Sequence, residues 1–321
     1  MISQNVWQNL ANPSYVLAPM AGITDMPFRL MCTEYGADLC YSEMASVAAL
    51  QFRPQKTLAM LRSHPDEAPL IIQMFGSDVK QFAHAARLLS DEAKARSLGV
   101  PNYYKPQGLD INFGCPVFKV MKTGSGAMLF QDIAKSREII QAVIANTDLP
   151  VSIKIRLQAG EVTAKQFLAA MADLPIAAVM VHGRSLAQGF AGPADFQAIK
   201  DLKNVYGGYI IANGGINNSA TSKIALEESG SAAVGLARGV LGKPWLFAAL
   251  KNQEFAISRK EVFAAILKHA GLVQADNQYF LEFRKHLCWY LNGLNGAKEM
   301  RAEAVKINNF EDVTKFVNKY Q

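Results

Sequence analysis

Between residues 15 and 250 the chain alternates eight times between a short apolar run and a longer amphipathic stretch. The runs are often β-branched and are followed by Gly, Pro or polar residues, which is typical of buried parallel strands. The stretches between them, for example residues 79–95, 136–147 and 219–229, have helical periodicity. This alternation predicts βαβ units around a parallel sheet. The runs are YVLAPM, DLCYSEM, PLIIQMFG, GLDINFG, PVSIKIRL, AAVMVHGR, YIIANGG and AAVGLARG.

The spacing of the runs distinguishes between two parallel architectures. Their ends recur about every 31 residues, the size of one βα unit, and eight units in about 235 residues make a TIM barrel. A doubly wound sheet would usually carry a glycine fingerprint after its first strand, and APMAGITD does not have that pattern. The run ends fall near Met20, Glu43, Gln73, Asn112, Lys154, His182, Asn213 and Arg238.

No strand-like run remains after Leu250. Ser258 and Glu261 form a capping box that predicts a helix start, and Asn309 is placed to cap the last helix. We therefore predict an α/β protein with a TIM barrel over residues 1–250 and a small all-helical domain over residues 251–321. Its later helices are expected within residues 279–291, 298–307 and 311–320.

Composition narrows the class of protein. Apolar residues make up 50% and charged residues 19%, which excludes an intrinsically disordered chain. Charges interrupt every apolar run, and the first twenty residues lack a signal-peptide pattern, so we expect a cytoplasmic protein without membrane spans. The four cysteines form no CxxC pair, so free thiols are expected rather than disulfides or a zinc site. A net charge of +6 permits a polyanionic partner.

Polar side chains follow the predicted strands at the end where TIM-barrel chemistry occurs. Lys154 lies within the apolar strand VSIKIRL, where an unpaired ammonium is costly, so it requires an anionic partner. Glycine-bearing turns follow strands seven and eight, the usual phosphate-binding loops of this fold, and Arg238 can add a bidentate contact. These features favour a phosphorylated cofactor. Gln73 and Lys154 would suit the pyrimidine edge of a flavin mononucleotide.

Cys115 lies in NFGCP, where the flanking glycine and proline force a turn just past strand four. A thiol with an ordinary pKa of about 8.5 can donate a proton near neutral pH. The following segment, KVMKTGSGAML, is predicted to be a mobile, basic flap. Cys32, Cys40 and Cys288 are interpreted as packing residues.

The chain as a whole resembles the bacterial tRNA-dihydrouridine synthases, most closely their B-type branch. The resemblance covers residues 15–320, and NxGCP with the lysine-rich segment after it is its most diagnostic part. The matching elements are LAPMAGITDMPFR, SEM, QMFGS, LDINFGCPVFKVMKTGSGAML, VSIKIRL, VHGRSLAQGFAGPADF, IIANGGI, LARGVLGKPWLF and FRKHLCWYL.

This resemblance implies an FMN-containing barrel, a helical domain that helps to bind tRNA, and NADPH-dependent reduction of the C5–C6 bond of particular uridines. Cys115 matches the proton donor to C5, and Asn112 and Arg156 match positions near the target base. A monomer without metal is expected. The flavin ring would be cradled by Pro19, Met20 and Ala21 and contacted by Gln73, Lys154 and His182, with the phosphate held by Asn213, Gly214, Gly215, Ala237 and Arg238.

Two departures from the family pattern are visible. Gly215 stands where the family usually has an acidic residue, and segment 95–108 is longer than expected and is predicted to be a loop before strand four. In the tail, Arg284, Lys285 and His286 are candidate phosphate contacts. The neighbouring Phe283, Trp289 and Tyr290 are interpreted as helical core.

Two other functions remain open at this point. A free-pyrimidine oxidoreductase of the dihydroorotate dehydrogenase kind would also pair an FMN barrel with a cysteine, but a small substrate needs neither a basic flap nor a helical tail. An RNA-binding module that has lost catalysis would not need Cys115, Lys154 and His182 together.

Overall fold

The computed structural model describes residues 5–52, 55–67, 69–100, 102–276 and 279–321. The strands are β1 Ser14–Leu17, β2 Leu39–Ser46, β3 Leu70–Phe75, β4 Gly108–Asn112, β5 Val151–Ala159, β6 Val162–Thr163, β7 Ala178–Ser185, β8 Tyr209–Asn213 and β9 Ala233–Leu236. The helices are α1 Met26–Glu34, α2 Val47–Leu50, α3 Gln55–Ala59, α4 Val79–Leu89, α5 Glu92–Ser97, α6 Phe118–Met121, α7 Ile133–Ile144, α8 Ala164–Ala169, α9 Phe196–Asp201, α10 Ser219–Ser229, α11 Leu246–Lys251, α12 Arg259–Ala275, α13 Phe280–Tyr290, α14 Ala297–Ala304 and α15 Phe310–Tyr320.

Eight of these strands form a closed parallel barrel. β1 pairs with β2 on one side and with β9 on the other, and β4 pairs with β5, so the ring has no open edge. The short strand β6 lies outside the ring and pairs antiparallel with the end of β5. The predicted TIM barrel is therefore confirmed, and the doubly wound alternative is excluded because its sheet would be open.

Alternate residues of each strand face the barrel interior, which decides the side chains that reach its mouth. In β7, Met180 belongs to the interior apolar cluster, whereas Val179 and Val181 pack toward the surrounding helices. His182 and Arg184 follow Met180 at two-residue intervals, so they share its inward face. The same alternation directs the polar residues at the ends of β3, β4, β5 and β8 toward the barrel mouth.

Trp7 closes the opposite end of the barrel. It lies in a short 3-10 helix, Val6–Asn9, and is fully buried within the interior cluster. A Cβ at Gly108 would lie 2.9 Å from the Trp7 ring, so the first residue of β4 accommodates this indole only as glycine. The position of Trp7 in the barrel was not predicted from the sequence, because residues 5–12 have no periodic pattern of apolar residues.

The helical prediction for residues 79–95 was wrong in one respect. The structure divides this stretch into α4 and α5. The Asp91 side chain accepts a hydrogen bond from the backbone N–H of Lys94 and caps the second helix, while the Ser90 hydroxyl donates to the carbonyl of Ala86. Both side chains thus favour a helix end at this point.

The tail forms four helices with an apolar cluster of their own. Ser258 and Glu261 make the predicted capping box, and Asn309 caps the last helix. Phe283 and Tyr290 are buried as predicted, whereas Trp289 is half-buried. Among the described helices, none is long and apolar enough to cross a membrane.

The prediction that His286 contacts phosphate was wrong. This residue is 2% exposed and packs 4.9 Å from the Phe28 ring of α1, at the junction between the tail and the barrel. Arg284 is also engaged, since it donates to the carbonyl of Ile307 and to Oδ1 of Asn308. Lys285 is ion-paired with Glu282. One face of α13 therefore docks the tail rather than facing solvent.

Candidate active site at the barrel mouth

A cavity of about 510 Å³ opens at the carboxyl ends of the strands. Every residue predicted to take part in catalysis, in binding the cofactor or in contacting the target base lines this cavity. The fourteen residues are Pro19, Met20, Ala21, Gln73, Asn112, Cys115, Lys154, Arg156, His182, Asn213, Gly214, Gly215, Ala237 and Arg238.

The charged side chains that line the cavity are all basic. Lys154, Arg156, Arg184 and Arg238 line it, and its described lining includes no carboxylate. Such a surface attracts an anionic ligand. It therefore fits a phosphorylated group better than a neutral or cationic one.

Lys154 is the cation whose environment most requires a ligand. It is half-buried, and it makes neither an ion pair nor a hydrogen bond with any described residue. Burial, together with the nearby Arg156, lowers the pKa of Lys154 to about 8. An anion or acceptor in the cavity would supply the missing partner and restore the charged form.

A chain of side-chain hydrogen bonds connects the barrel interior to the turn that carries Cys115. The Gln73 amide donates to Oδ2 of Asp110 over 2.7 Å, and the Asn112 amide donates to Oε1 of Gln73 over 2.9 Å. Asn112 Oδ1 then accepts from the backbone N–H groups of Gly114, at 3.1 Å, and Cys115, at 2.9 Å. Since a carboxylate only accepts hydrogen bonds, Asp110 fixes the direction of both amides.

Cys115 is 8% exposed, and its thiol is held in the protonated form. Burial raises its pKa, against smaller opposing effects of a backbone hydrogen bond and of the Lys154 and Arg156 charges. The thiol is therefore neutral at physiological pH and retains a proton that it can donate.

The segment after Cys115, which we call the flap (residues 117–129, two residues longer than the predicted KVMKTGSGAML), is hydrogen-bonded to the barrel at several points. The Ala127 N–H donates to the carbonyl of Cys115 over 3.2 Å, and the Ser77 hydroxyl donates to the carbonyl of Thr123 over 2.8 Å. A Cβ at Gly126 would lie 2.9 Å from the Cys115 carbonyl oxygen, so only glycine permits this approach. The basic character predicted for the flap is present in exposed Lys119 and Lys122; its mobility stays a prediction.

Arg156 braces the same turn from the neighbouring strand. Its Nε donates to the carbonyl of Gly114 over 2.8 Å, and its Nη1 donates to the carbonyls of Ser185 and Gly189 over 3.1 Å each. Its Nη2 makes no hydrogen bond with the described residues, and the guanidinium carbon lies 5.9 Å from the centre of the Phe190 ring. That nitrogen is free to bind a ligand.

The two glycine-bearing loops lie against each other beside the cavity. A Cβ at Gly239 would lie only 2.1 Å from the carbonyl oxygen of Ile216, so the loop after β9 reaches the loop after β8 because this position is glycine. The strands that lead into these loops are also joined, because Asn213 at the end of β8 donates to the carbonyl of Gly235 in β9 over 2.6 Å. Gly215 has a φ of +71°, a left-handed conformation that glycine adopts readily.

The sequence did not indicate roles for Arg184, Phe190 and Asp110, which lie in the cavity lining or next to it. Arg184 and Phe190 line the cavity, and the Arg238 guanidinium lies 3.9 Å from the centre of the Phe190 ring. Asp110 lies beneath the cavity, where burial raises its pKa to about 6 against its bonds to Ser152 and Gln73. Two of them could have been predicted from the alternation of side chains along a strand. Arg184 lies two residues after His182 and Asp110 two residues before Asn112, so each shares the inward face of its neighbour.

Solved structures that resemble this chain share its barrel. Histamine dehydrogenase from Rhizobium sp. 4-9 superimposes with a TM-score of 0.53 at 12% identity, covering 82% of this chain and 49% of that one. 6-Hydroxypseudooxynicotine amine oxidase from Pseudomonas geniculata N1 gives a TM-score of 0.51 at 13% identity, over 78% and 50% of the two chains. This chain thus spans about half of each, and the likeness concerns the fold.

Comparison of the sequence with those of known proteins identifies the family, which the structural comparison does not. The tRNA-dihydrouridine synthase B of Pseudomonas syringae pv. tomato is 32% identical over 312 residues, which cover 92% of this chain and 87% of the relative. The tRNA-dihydrouridine synthase B of Pseudomonas aeruginosa is 33% identical over 90% of this chain and 86% of its own. The sequence model of the family described as Dihydrouridine synthase (Dus) matches residues 16–321. The chain belongs to the dihydrouridine synthase family.

Proposed function

We propose that this protein reduces the C5–C6 bond of particular uridines in tRNA, with FMN bound in the cavity and NADPH as reductant. The observation that carries the proposal is one cavity in which four cationic side chains and a protonated thiol converge without a carboxylate. Membership of the dihydrouridine synthase family makes tRNA uridine the expected substrate.

The residues present fit FMN. Lys154 has no partner among the described residues and would receive one in the flavin ring, while Gln73 still has a second amide hydrogen beyond the one given to Asp110. The loops after β8 and β9 offer backbone N–H groups and Arg238 to a single phosphate. Pro19, Met20 and Ala21 follow β1 and form the wall of the cavity beside these loops.

Bound FMN would supply the hydride that reaches C6 of the uracil. The chain itself must then deliver a proton to C5 and stabilise the negative charge that develops on the base. Cys115 holds that proton on a buried thiol, and Asn112 and Gly126 fix where the sulfur lies. Arg156 can direct its unpaired Nη2 at the base while its other nitrogens hold the turn.

A uracil within a folded tRNA must leave its stack to enter this cavity, so contacts with the rest of the tRNA are required. We propose that residues 251–321 serve as the tRNA-binding domain beside the catalytic domain of residues 1–250. Exposed Lys260, Lys298 and Lys306 make no ion pair among the described residues and suit phosphate contacts better than α13 does. We propose that the enzyme acts as a monomer.

On the barrel side, the flap supplies the contacts nearest to the thiol. Lys119 and Lys122 are exposed, and Phe118 between Cys115 and these lysines is 73% exposed. An exposed aromatic side chain with flanking cations suits a base and its phosphates.

Assays on the purified protein test the proposed function directly. We expect flavin absorbance, NADPH oxidation on addition of tRNA lacking dihydrouridine, and dihydrouridine in the digested product by mass spectrometry. The matched control is the same tRNA already modified, which should give no turnover. NADPH oxidation with free uracil or orotate instead of tRNA would contradict the proposal and favour the free-pyrimidine function.

A further inference from the structure

The Arg184 side chain is fixed by a backbone carbonyl. Its Nε and Nη2 both donate to the carbonyl of Gly192, over 3.0 and 2.8 Å, and the residue is 6% exposed. A guanidinium is planar, so two bonds to one acceptor set the direction of the third nitrogen. Arg184 therefore has little freedom to turn its Nη1 elsewhere.

That third nitrogen, Nη1, lies 3.2 Å from Nε2 of His182. Guanidinium nitrogens only donate hydrogen bonds, so Nε2 of the histidine must be an unprotonated acceptor. In a neutral imidazole the proton then resides on Nδ1. A half-turn of the ring would place Cε1–H against Nη1 and remove its acceptor, which makes that orientation unfavourable.

The surroundings of His182 disfavour an imidazolium as well. The charged groups facing it are Lys154 and Arg156 from β5, Arg184 from its own strand, and Arg238 from the loop after β9, all of them cations. Burial and these charges lower the pKa of His182 to about 2. From β8, the neighbouring Gly214 would bring a Cβ to within 2.9 Å of the ring, so the backbone packs closely on that edge.

We propose that Arg184 is a positioning residue that holds His182 in the neutral form with its proton on Nδ1. His182 is then a hydrogen-bond donor of fixed direction in the cavity, and it does not supply the proton that reaches uracil C5. The tautomer follows from the contacts alone, whereas its consequence for the reaction rests on the proposed function.

Nitrogen-15 NMR of the protein as purified, labelled at histidine, measures the tautomer directly. The chain has five histidines, and His182→Gln identifies the signal by its loss. We expect an unprotonated Nε2 and a protonated Nδ1 that do not change between pH 5 and 8. Protonated Nε2, or an imidazolium at pH 7, would overturn the proposal.

Variants of Arg184 and Arg238 distinguish the effect of the Arg184–His182 hydrogen bond from the effect of a nearby positive charge. Arg184→Met should shift the tautomer ratio toward Nε2–H by about tenfold or more, as for the loss of one charge-assisted hydrogen bond. Arg184→Lys keeps a donor and should restore part of the preference. Arg238→Met removes a nearby charge without that bond and should leave the tautomer unchanged. An unchanged tautomer ratio in Arg184→Met would contradict the proposal. If that variant does not fold, the spectrum of the wild-type protein alone tests which nitrogen of His182 carries the proton.

The pH dependence of flavin reoxidation by tRNA links the tautomer to the reaction. Wild-type protein should show no step near pH 6.5 that depends on His182, because its imidazole stays neutral over this range. Absence of any reaction with tRNA, together with the expected NMR spectrum, would count against the proposed function and leave the tautomer established. A step near pH 6.5 in the wild type, lost in His182→Gln, would refute the inference itself.

Discussion

The side-chain amide of Asn112 donates a hydrogen bond to Oε1 of Gln73 over 2.9 Å. Through this bond the turn that carries Cys115 is connected to Asp110, a fully buried carboxyl group outside the cavity. The position of the thiol therefore depends on residues that have no contact with it. Such support matters because a misplacement of about 1 Å can cost on the order of 10²-fold in rate.

Asn112→Ala tests this support. It removes the acceptor for two backbone N–H groups and the donor to Gln73, so we expect slower reoxidation of the reduced flavin by tRNA and an unfolding free energy lower by about 1–3 kcal/mol. Stopped-flow absorbance and denaturant melts measure the two effects. Asn146→Ala is the control, because Asn146 is also hydrogen-bonded but lies outside the cavity. Wild-type behaviour of Asn112→Ala in both measurements would contradict the account.

Lys154→Met should weaken FMN binding. The substitution keeps most of the side-chain volume but removes the cation that has no partner among the described residues. Loss of one charge-assisted hydrogen bond corresponds to about a 10- to 100-fold higher Kd. Fluorescence titration of the flavin-free protein gives the Kd, with Lys165→Met on the outer helix α8 as control. Equal affinity in Lys154→Met and wild type would remove Lys154 from the cofactor site.

Replacing Lys119 and Lys122 together by alanine should reduce tRNA affinity and its salt dependence. Each lost phosphate contact should make the plot of log affinity against log salt less steep by about 0.7 to 0.9. Filter binding at several salt concentrations measures the slope. The exposed pair Lys165 and Lys200, on α8 and α9, provides the matched control. A slope equal to that of the wild type would show that the flap does not contact phosphate.

Because His286 is buried, we expect the unfolding free energy of the protein to decrease in mild acid. Burial, with smaller effects of His269 and Lys285, holds its pKa well below the usual 6.5, and neither ring nitrogen has a hydrogen-bond partner in the part of the chain that the structure describes. Below about pH 6 the unfolded chain binds a proton there that the folded protein does not, so this contribution to stability falls as pH falls.

The comparison with His286→Leu isolates that contribution from the other titrating groups. The difference in unfolding free energy, wild type minus variant, should decrease by about 1.4 kcal/mol per pH unit below pH 6. Urea melts between pH 4.5 and 8 provide the values. A constant difference over that range would show that the pKa of His286 is the same in the folded and unfolded protein.

The barrel and its rim were predictable because both rest on local patterns. Strand runs at regular spacing specify βα units, and the carboxyl ends of those strands meet at one rim, so Gln73, Lys154 and Asn213 were located from the sequence. The capping box of Ser258 and Glu261 is a short-range contact and was equally readable.

The rest depends on contacts between distant segments. Trp7 enters the barrel floor only where Gly108 leaves room, about a hundred positions away, and no periodic signal marks such a pair. His286 lies in a helix with several polar residues, and its burial against Phe28 is decided by the docking of two apolar clusters. The Arg184–His182 hydrogen bond likewise requires the exact course of the loop that ends at Gly192.

Single-turnover reoxidation of the reduced flavin by tRNA lacking dihydrouridine, compared between wild type and Cys115→Ala, shows whether this thiol delivers the proton to C5. We expect Cys115→Ala to bind FMN and tRNA and to be reduced by NADPH as the wild type is, but to be reoxidised about 10²- to 10⁴-fold more slowly, because general-acid catalysis is lost. Cys40→Ala, at a buried thiol outside the cavity, should retain the wild-type rate. Reoxidation of Cys115→Ala at the wild-type rate would contradict the claim that this thiol delivers the proton.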